Sequence, residues 1–442
     1  MKLTLSSILV LFSLMVTAQE EPVFSLLRQD DEVEGFQREN PSFYQKLKYQ
    51  PSFKTGNISF GGSYRGQYEY FNNEEFSFSP NRENGWYLQR FLLHANIQFN
   101  ENLGFFGELG SSTISGKEDL APVDQDGLYV NQLFLSYRKE NLELRLGREN
   151  LKLGSRRLLD PREGPNVRQS FDHVTVEVYK GKRSLRVFAA RPVFPEAGIF
   201  DNEDFENEEW LWGTYLNKLY AGALNLDAYY LGSHYGASTY ALGTEEELRH
   251  SLGVRAWKSS GSWQYDNEAI IQFGSFGEQD IFAWTISFNL KNQVHEKHQL
   301  GVKTELISGT TSENTLGTFN PLYPRGAYFG RVARFGPANL IDIHPYWNYR
   351  AGKFTMEIDY DVFWRFSKDD AIYGPPLNIV LEGESDARFI AQQVGTIFNY
   401  EFSRHAVMEL ETNFIFPGDY IEQVRPGAEK LIHGVFTVEL RF

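Results

Sequence analysis

The sequence predicts an all-β fold, a transmembrane antiparallel up-and-down β-barrel of about eighteen strands. Three observations predict it. Apolar and polar residues alternate over stretches of about nine to fourteen residues, connections are alternately tight and long, and an export-type N-terminus heads a chain without cysteine.

The first element is the export segment. Lys2 precedes an apolar run from Leu3 to Val16 and a small-residue site, Val16-Thr17-Ala18, ahead of polar Gln19 and Glu20. That layout reads as a secretory signal, residues 1–18, cleaved after Ala18. The run is too short for a membrane anchor, and no later stretch supplies the roughly 18 apolar residues of a membrane helix. With no cysteine there is neither a disulfide framework nor thiolate chemistry. A formal net charge of -15 speaks against nucleic acid, which selects basic surfaces. Residues 19–56, charged and interrupted by Pro22, Pro41 and Pro51, are expected to form a periplasmic N-terminal segment. A plug inside the barrel is the other reading.

The barrel, residues 57–442, rests on period-two patterning. Phe354, Met356, Ile358, Tyr360, Val362, Trp364 and Phe366 fall on one face of a strand; Thr355, Glu357, Asp359, Asp361 and Arg365 fall on the other. One face suits lipid and the other water. The same split recurs in Ile58 to Tyr70, Phe91 to Phe99, Trp263 to Phe273 and Phe436 to Phe442. Strands of soluble sandwiches average about five or six residues, whereas these have the length a tilted membrane strand requires.

In order, strands are expected at 57–70, 86–99, 103–113, 128–138, 142–149, 172–179, 183–191, 210–219 and 222–232. The second half follows at 248–258, 262–274, 280–290, 298–307, 338–349, 353–366, 391–402, 405–416 and 432–442. Tight connections such as Lys180-Gly181-Lys182 and Ala351-Gly352 alternate with long ones, as short periplasmic turns alternate with external loops. An even strand count leaves both chain ends in the periplasm. Tyr68, Tyr70, Trp86, Tyr87, Tyr137, Trp210, Trp212, Tyr229 and Tyr230 sit near strand ends and suit interfacial girdles. Phe442 closes an alternating strand, the kind of C-terminal aromatic signal that barrel assembly machinery reads.

No nucleophile, base and orienting group share a recognisable spacing, so the chain is not expected to be an enzyme, and neither cofactor nor resident metal is expected. His295 and His298 fall in a turn among lysines, where solvation is the simpler reading. His94, His173 and His344 have no spaced partner. The acidic stretch Glu203 to Glu209 reads as a hydrated loop before it reads as a calcium site.

Strand parity turns Arg65, Arg90, Arg138, Arg145, Arg186, Arg255, Arg350, Arg365 and Arg441 towards water, with acids such as Glu108, Asp342, Glu357 and Asp359. Two readings stay open: a charge lattice that stiffens the wall, and a guanidinium ladder for an anionic solute. A barrel this wide needs something to narrow it. The segment Arg148 to Phe171 is net basic, with Arg148, Lys152, Arg156, Arg157, Arg162 and Arg168 against Glu149, Asp160 and Glu163. Asn320 to Pro345 brings Arg325, Arg331 and Arg334. Gly and Pro give both loops fixed turns.

Gly61-Gly62-Ser63-Tyr64-Arg65, Leu88-Gln89-Arg90-Phe91 and Gly147-Arg148-Glu149 through Asp160-Pro161-Arg162-Glu163-Gly164-Pro165-Asn166-Val167-Arg168 carry a family resemblance. With Asn320-Pro321-Leu322-Tyr323-Pro324 and Gly336-Pro337-Ala338-Asn339, the chain from Phe43 to Phe442 resembles the alginate export porins of the bacterial outer membrane. The resemblance implies a monomeric barrel whose narrowed lumen passes a polyuronate along arginines. It puts Arg65, Arg90 and Arg148 first as substrate contacts; Arg162, Arg168, Arg145 and Arg365 complete the candidate set. Passage of an anionic polysaccharide is the leading expectation, and uptake of small solutes the alternative. The expected partners are that solute, outer-membrane lipid and the barrel assembly machinery.

Overall fold

The computed structural model describes residues 24–37, 39–53, 55–76, 83–202, 208–221 and 224–442. The expected signal at 1–18, the opening of the 19–56 segment, and 203–207 of the acidic stretch lie outside the described residues.

Alternation translates directly into strands. The barrel runs through β1 (Gly56–Asn72), β2 (Glu83–Gln98), β3 (Leu103–Ser115), β4 (Asp126–Lys139), β5 (Leu142–Glu149), β6 (Phe171–Lys180), β7 (Arg183–Pro192), β8 (Trp210–Ala221) and β9 (Asn225–Tyr240). It continues through β10 (Gly243–Ser260), β11 (Trp263–Phe276), β12 (Gln279–His295), β13 (His298–Ile307), β14 (Leu340–Ala351), β15 (Phe354–Arg365), β16 (Phe389–Ser403), β17 (Ala406–Pro417) and β18 (Leu431–Arg441). Each pairs antiparallel with its neighbour in sequence, and β18 returns to β1 in register from Ser63↔Arg441 to Asn72↔Ile432. This is a closed antiparallel barrel of eighteen strands, so no edge is left with unpaired backbone groups in lipid. Phe442 completes the seam: its N–H donates to the Gly62 carbonyl and its carbonyl accepts from the Gly62 N–H, both at 3.0 Å.

The outer face is a belt of exposed apolar side chains, among them Leu133, Leu135, Leu144, Leu146, Val174, Val176, Phe282, Phe288, Leu410 and Phe414. In water such a patch is untenable; in hydrocarbon it is required. The parity predicted for β15 holds, with Tyr360 40% exposed and Asp361 0%. Tyr68, Tyr87, Tyr137 and Trp210 face outward near strand ends as expected of girdles. Trp86 and Tyr229 do not: adjacent residues take opposite faces, and these two turn inward to donate to Glu69 and Glu268.

Two external connections expected to be long are tight. β9 and β10 continue to Tyr240↔Gly243, and β11 and β12 to Phe276↔Gln279. Beyond the membrane the outer face of a hairpin meets water, so the apolar–polar contrast fades while the ladder goes on; the inner face, with Tyr240 and Phe276, packs against Ile281, Leu316 and Tyr373.

The barrel interior is filled from both ends. From outside, residues 150–170 and 308–339 fold inward and meet in a parallel bridge at Leu159↔Tyr323. Their Leu158, Leu159, Phe319, Tyr323, Phe329 and Phe335 form a core with inward wall residues Phe171, Leu211, Ile270 and Phe363. From the periplasmic end, residues 24–37 and 39–53 dock into the mouth as a structural plug. Helix α1 (Phe43–Lys48) starts at a Ser42–Gln45 capping box, and Tyr44 packs edge-on against His405. Arg28 donates to the carbonyls of Gly62 and Phe442, while Gln29 reaches Glu149 and Gln132 across the lumen. Helix α2 (Asp419–Val424) lies in the loop before β18.

Candidate functional site

The inward loop 150–170 is held by the arginines that the sequence singles out. Arg65 on β1 and Arg90 on β2 stand opposite each other in the ladder, which points both guanidiniums to the same spot in the lumen. Arg65 donates to the carbonyls of Glu163 at 2.6 Å and Pro165 at 2.9 Å. Arg90 pairs with the Glu163 carboxylate, and Arg168 closes on its other oxygen at 2.6 Å. Burial would raise the Glu163 carboxyl, but the guanidiniums of Arg168, Arg90 and Arg65 hold it far below the usual carboxylate range. Asn166 adds a tether, its amide donating to the carbonyls of Gln89, Thr113 and Asp124. These three arginines are buried, and the bonds they make go to the protein itself.

The remaining candidates separate. Arg145 faces the lumen between Glu143 and Glu149, 2.7 Å from each. Arg162 is half-buried over the Tyr323 ring. Arg365 is 0% exposed, donates to the carbonyls of Lys368, Ser385 and Ala387, and stacks on Tyr420, so it secures an external loop. Arg148 departs from expectation most. It pairs with Leu133 across one ladder and Asp172 across the other, and Leu133 faces lipid. Residues opposite one another share a face, so Arg148 lies on the outer wall, bonded to both Asp172 oxygens at 2.8 and 2.9 Å. Its neighbour Gly147 takes φ 134, where a Cβ would meet the Leu133 carbonyl at 2.2 Å, and this marks where the chain leaves the wall.

Open space in the lumen lies beside other cations. A cavity of about 60 Å³ next to Leu27 and Asp30 of the plug is lined by Arg145, Lys152 and Arg186. A second, about 260 Å³, shares Lys152, Glu177 and Arg186 with the first and adds Arg156 and Arg255. A third, about 210 Å³, shares Arg156 with the second and is bordered by Arg157, Lys303 and Arg325. Three of the four residues that join this series are cationic. Arg157 is tied to Glu268 and Glu305; Lys303 lies over the Tyr346 ring. Arg156, Arg157 and Arg325 belong to the basic loops noted in the sequence. Nothing in those loops tells an arginine that bonds carbonyls from one that faces space.

The histidines also have partners. His173 meets Glu149 at 3.0 Å, His94 lies 3.6 Å from Glu108, and His344 abuts Asp361. Those partners are across a ladder, where linear spacing does not reveal them. His295 ends β12 and His298 begins β13, flanking the turn between them, and His298 accepts from the Trp347 indole at 3.2 Å. Of the described part of the acidic stretch, Glu209 accepts from Tyr323.

With barrel, inner loops and a lumen lined by paired cations and acids defined, comparison is informative. The family model described as alginate export matches residues 57–432. The chain belongs to the alginate export family. Among solved structures, this family member is similar to three Pseudomonas aeruginosa proteins. OccK2 (OpdF), solved in complex with glucuronate, gives a TM-score of 0.60 at 12% identity over 87% of this chain and 98% of that one. OpdQ gives 0.60 at 13% identity over 88% and 98%. OpdK, solved with vanillate, gives 0.57 at 11% identity over 87% and 98%. Identities this low show a common fold. No curated protein matches the sequence. The family and the barrel together make this an outer-membrane channel of the alginate export type.

Proposed function

We propose that the channel passively conducts carboxylate-bearing sugars, with an alginate-like polyuronate chain as the leading solute, and that it has no enzymatic activity. The observation that carries this reading is the series of lumen cavities joined at Lys152, Arg186 and Arg156 and continued by Arg325 and Lys303. Guanidinium groups hold carboxylates through paired hydrogen bonds and keep their charge at every physiological pH. Successive cations let each carboxylate leave one partner for the next, which conduction requires.

A second reading, uptake of small carboxylates, is favoured by how much of the lumen the loops and the plug occupy. Planar-bilayer recording separates the two. Polyuronate passage predicts anion preference, block by oligouronate, and several-fold weaker block in Arg156→Ala and Arg325→Ala, with Arg148→Ala unchanged because it faces outward. Block by glucuronate with indifference to oligouronate favours the small-solute channel. Cation preference without block by either overturns both.

A further inference from the structure

Asp342 and His344 lie two residues apart on β14, and Asp361 on β15 falls beside them, since Ile343 pairs with Val362 and Tyr346 with Asp359. Each residue offers a ligand atom within 4.8 Å of the others. Their exposures are 2, 6 and 0%, so all three side chains are buried on the inner side of the barrel wall. Yet Asp342 Oδ1 and His344 Nε2 make no hydrogen bond, and Asp361 Oδ1 meets only His344 Nδ1 within the cluster itself. Buried polar atoms without partners are costly, and two carboxylates this close repel unless a proton or a metal ion stands between them.

Among the described residues no lysine or arginine forms an ion pair with the cluster, although Lys303 and Arg325 lie near enough to act on it. Lys303 is opposite His344 in the β13–β14 ladder, but its ammonium lies over the Tyr346 ring, 4.7 Å from the centroid. Arg157 is engaged with Glu268 and Glu305. Asp359, 4.0 Å from His344, adds further negative charge.

We infer that Asp342, His344 and Asp361 form a binding site for a divalent transition-metal ion of the zinc class. One imidazole nitrogen and two carboxylate oxygens suit such an ion, whereas calcium and magnesium take oxygen alone. Three protein ligands leave a fourth position for water or for a solute carboxylate. Asp342 and His344 line the cavity bordered by Arg325 and Lys303, so that position faces the solute path. The ion also bridges β14 and β15 where the ladder is interrupted at Pro345, which has no N–H to donate. The site does not depend on which solute the channel carries.

The test uses full-length, tag-free protein in detergent, stripped with EDTA and titrated calorimetrically with Zn²⁺, with Co²⁺ absorption as a ligand-field readout. One equivalent should bind, weakened by an order of magnitude or more in His344→Gln and Asp361→Asn, and both variants should lose the Co²⁺ band of a four-coordinate site. Circular dichroism and heat-modifiable gel migration verify the barrel, and Asp342→Asn replaces any variant that does not assemble. Absence of Zn²⁺ binding by the wild type overturns the inference, as does binding unaltered in assembled variants or matched by Ca²⁺.

Discussion

Glu163 shows how one carboxylate organises three arginines. It accepts from Arg90 and Arg168, and its carbonyl accepts from Arg65, so a single residue locks the inner loop to β1 and β2. Glu163→Gln leaves three buried guanidiniums without their counter-charge, at a cost of about 3 kcal/mol to loop anchoring. Single-channel currents should become larger and noisier, with a lower melting temperature; unchanged currents would show that the loop is held elsewhere. Lys48 is the second informative residue. Buried against Phe60, to whose carbonyl it donates at 3.0 Å, its ammonium is pushed down to about 7, first by burial and then by Arg28. With the segment undocked, the group has its ordinary value of 10.5. Between these values the undocked state holds a proton that the docked state lacks, so docking strengthens as pH rises from about 7 and is weakest below it. Hydrogen exchange of α1, corrected for intrinsic pH dependence, should therefore show protection growing from pH 6 to pH 9; protection that falls over this range contradicts the assignment.

At the scale of elements, the inner loops matter more than their length suggests. Residues 150–170 combine an apolar side, Leu158 and Leu159, with the cations Arg156 and Arg157, so one segment both narrows the lumen and supplies its charge. Excising 155–167 with a short linker should raise conductance several-fold and weaken anion preference in bilayer recordings. An unaltered conductance would place the constriction in 308–339 or in the plug. The strand alternation of β15 was legible from residue types, as was the alternating last strand that ends at Phe442. The extended β9–β10 hairpin was not, because polar residues on both faces erase the pattern that identifies a strand.

For the whole molecule, stability rests on an apolar belt outside and a polar, charge-paired wall inside, the reverse of a soluble protein. Leu146, 63% exposed, sits in that belt. Leu146→Arg should lose about 2–4 kcal/mol towards the membrane midplane, measured by urea unfolding from lipid vesicles. A neutral result would move this part of β5 out of the hydrocarbon. The same belt explains how a chain of net charge -15 crosses a membrane: among the described residues, charges such as Glu108, Glu268 and Asp342 are buried on the inner side of the wall while the belt outside is apolar.

By itself the sequence determined what depends on local order: strand positions and parity, the closed barrel, and two basic, turn-rich loops. Only the tertiary structure decided what each charge does. Arg65 and Arg90 became loop anchors because Glu163, with Arg168 five residues further on, arrives beside them from 98 and 73 residues away in the chain. Arg148 moved to the outer wall because the ladder, not the basic loop it heads, sets its face. His344 acquired acidic neighbours across β14 and β15. A side chain's periodicity is a property of its own strand, but its partners come from whatever strand or loop the closed barrel brings beside it.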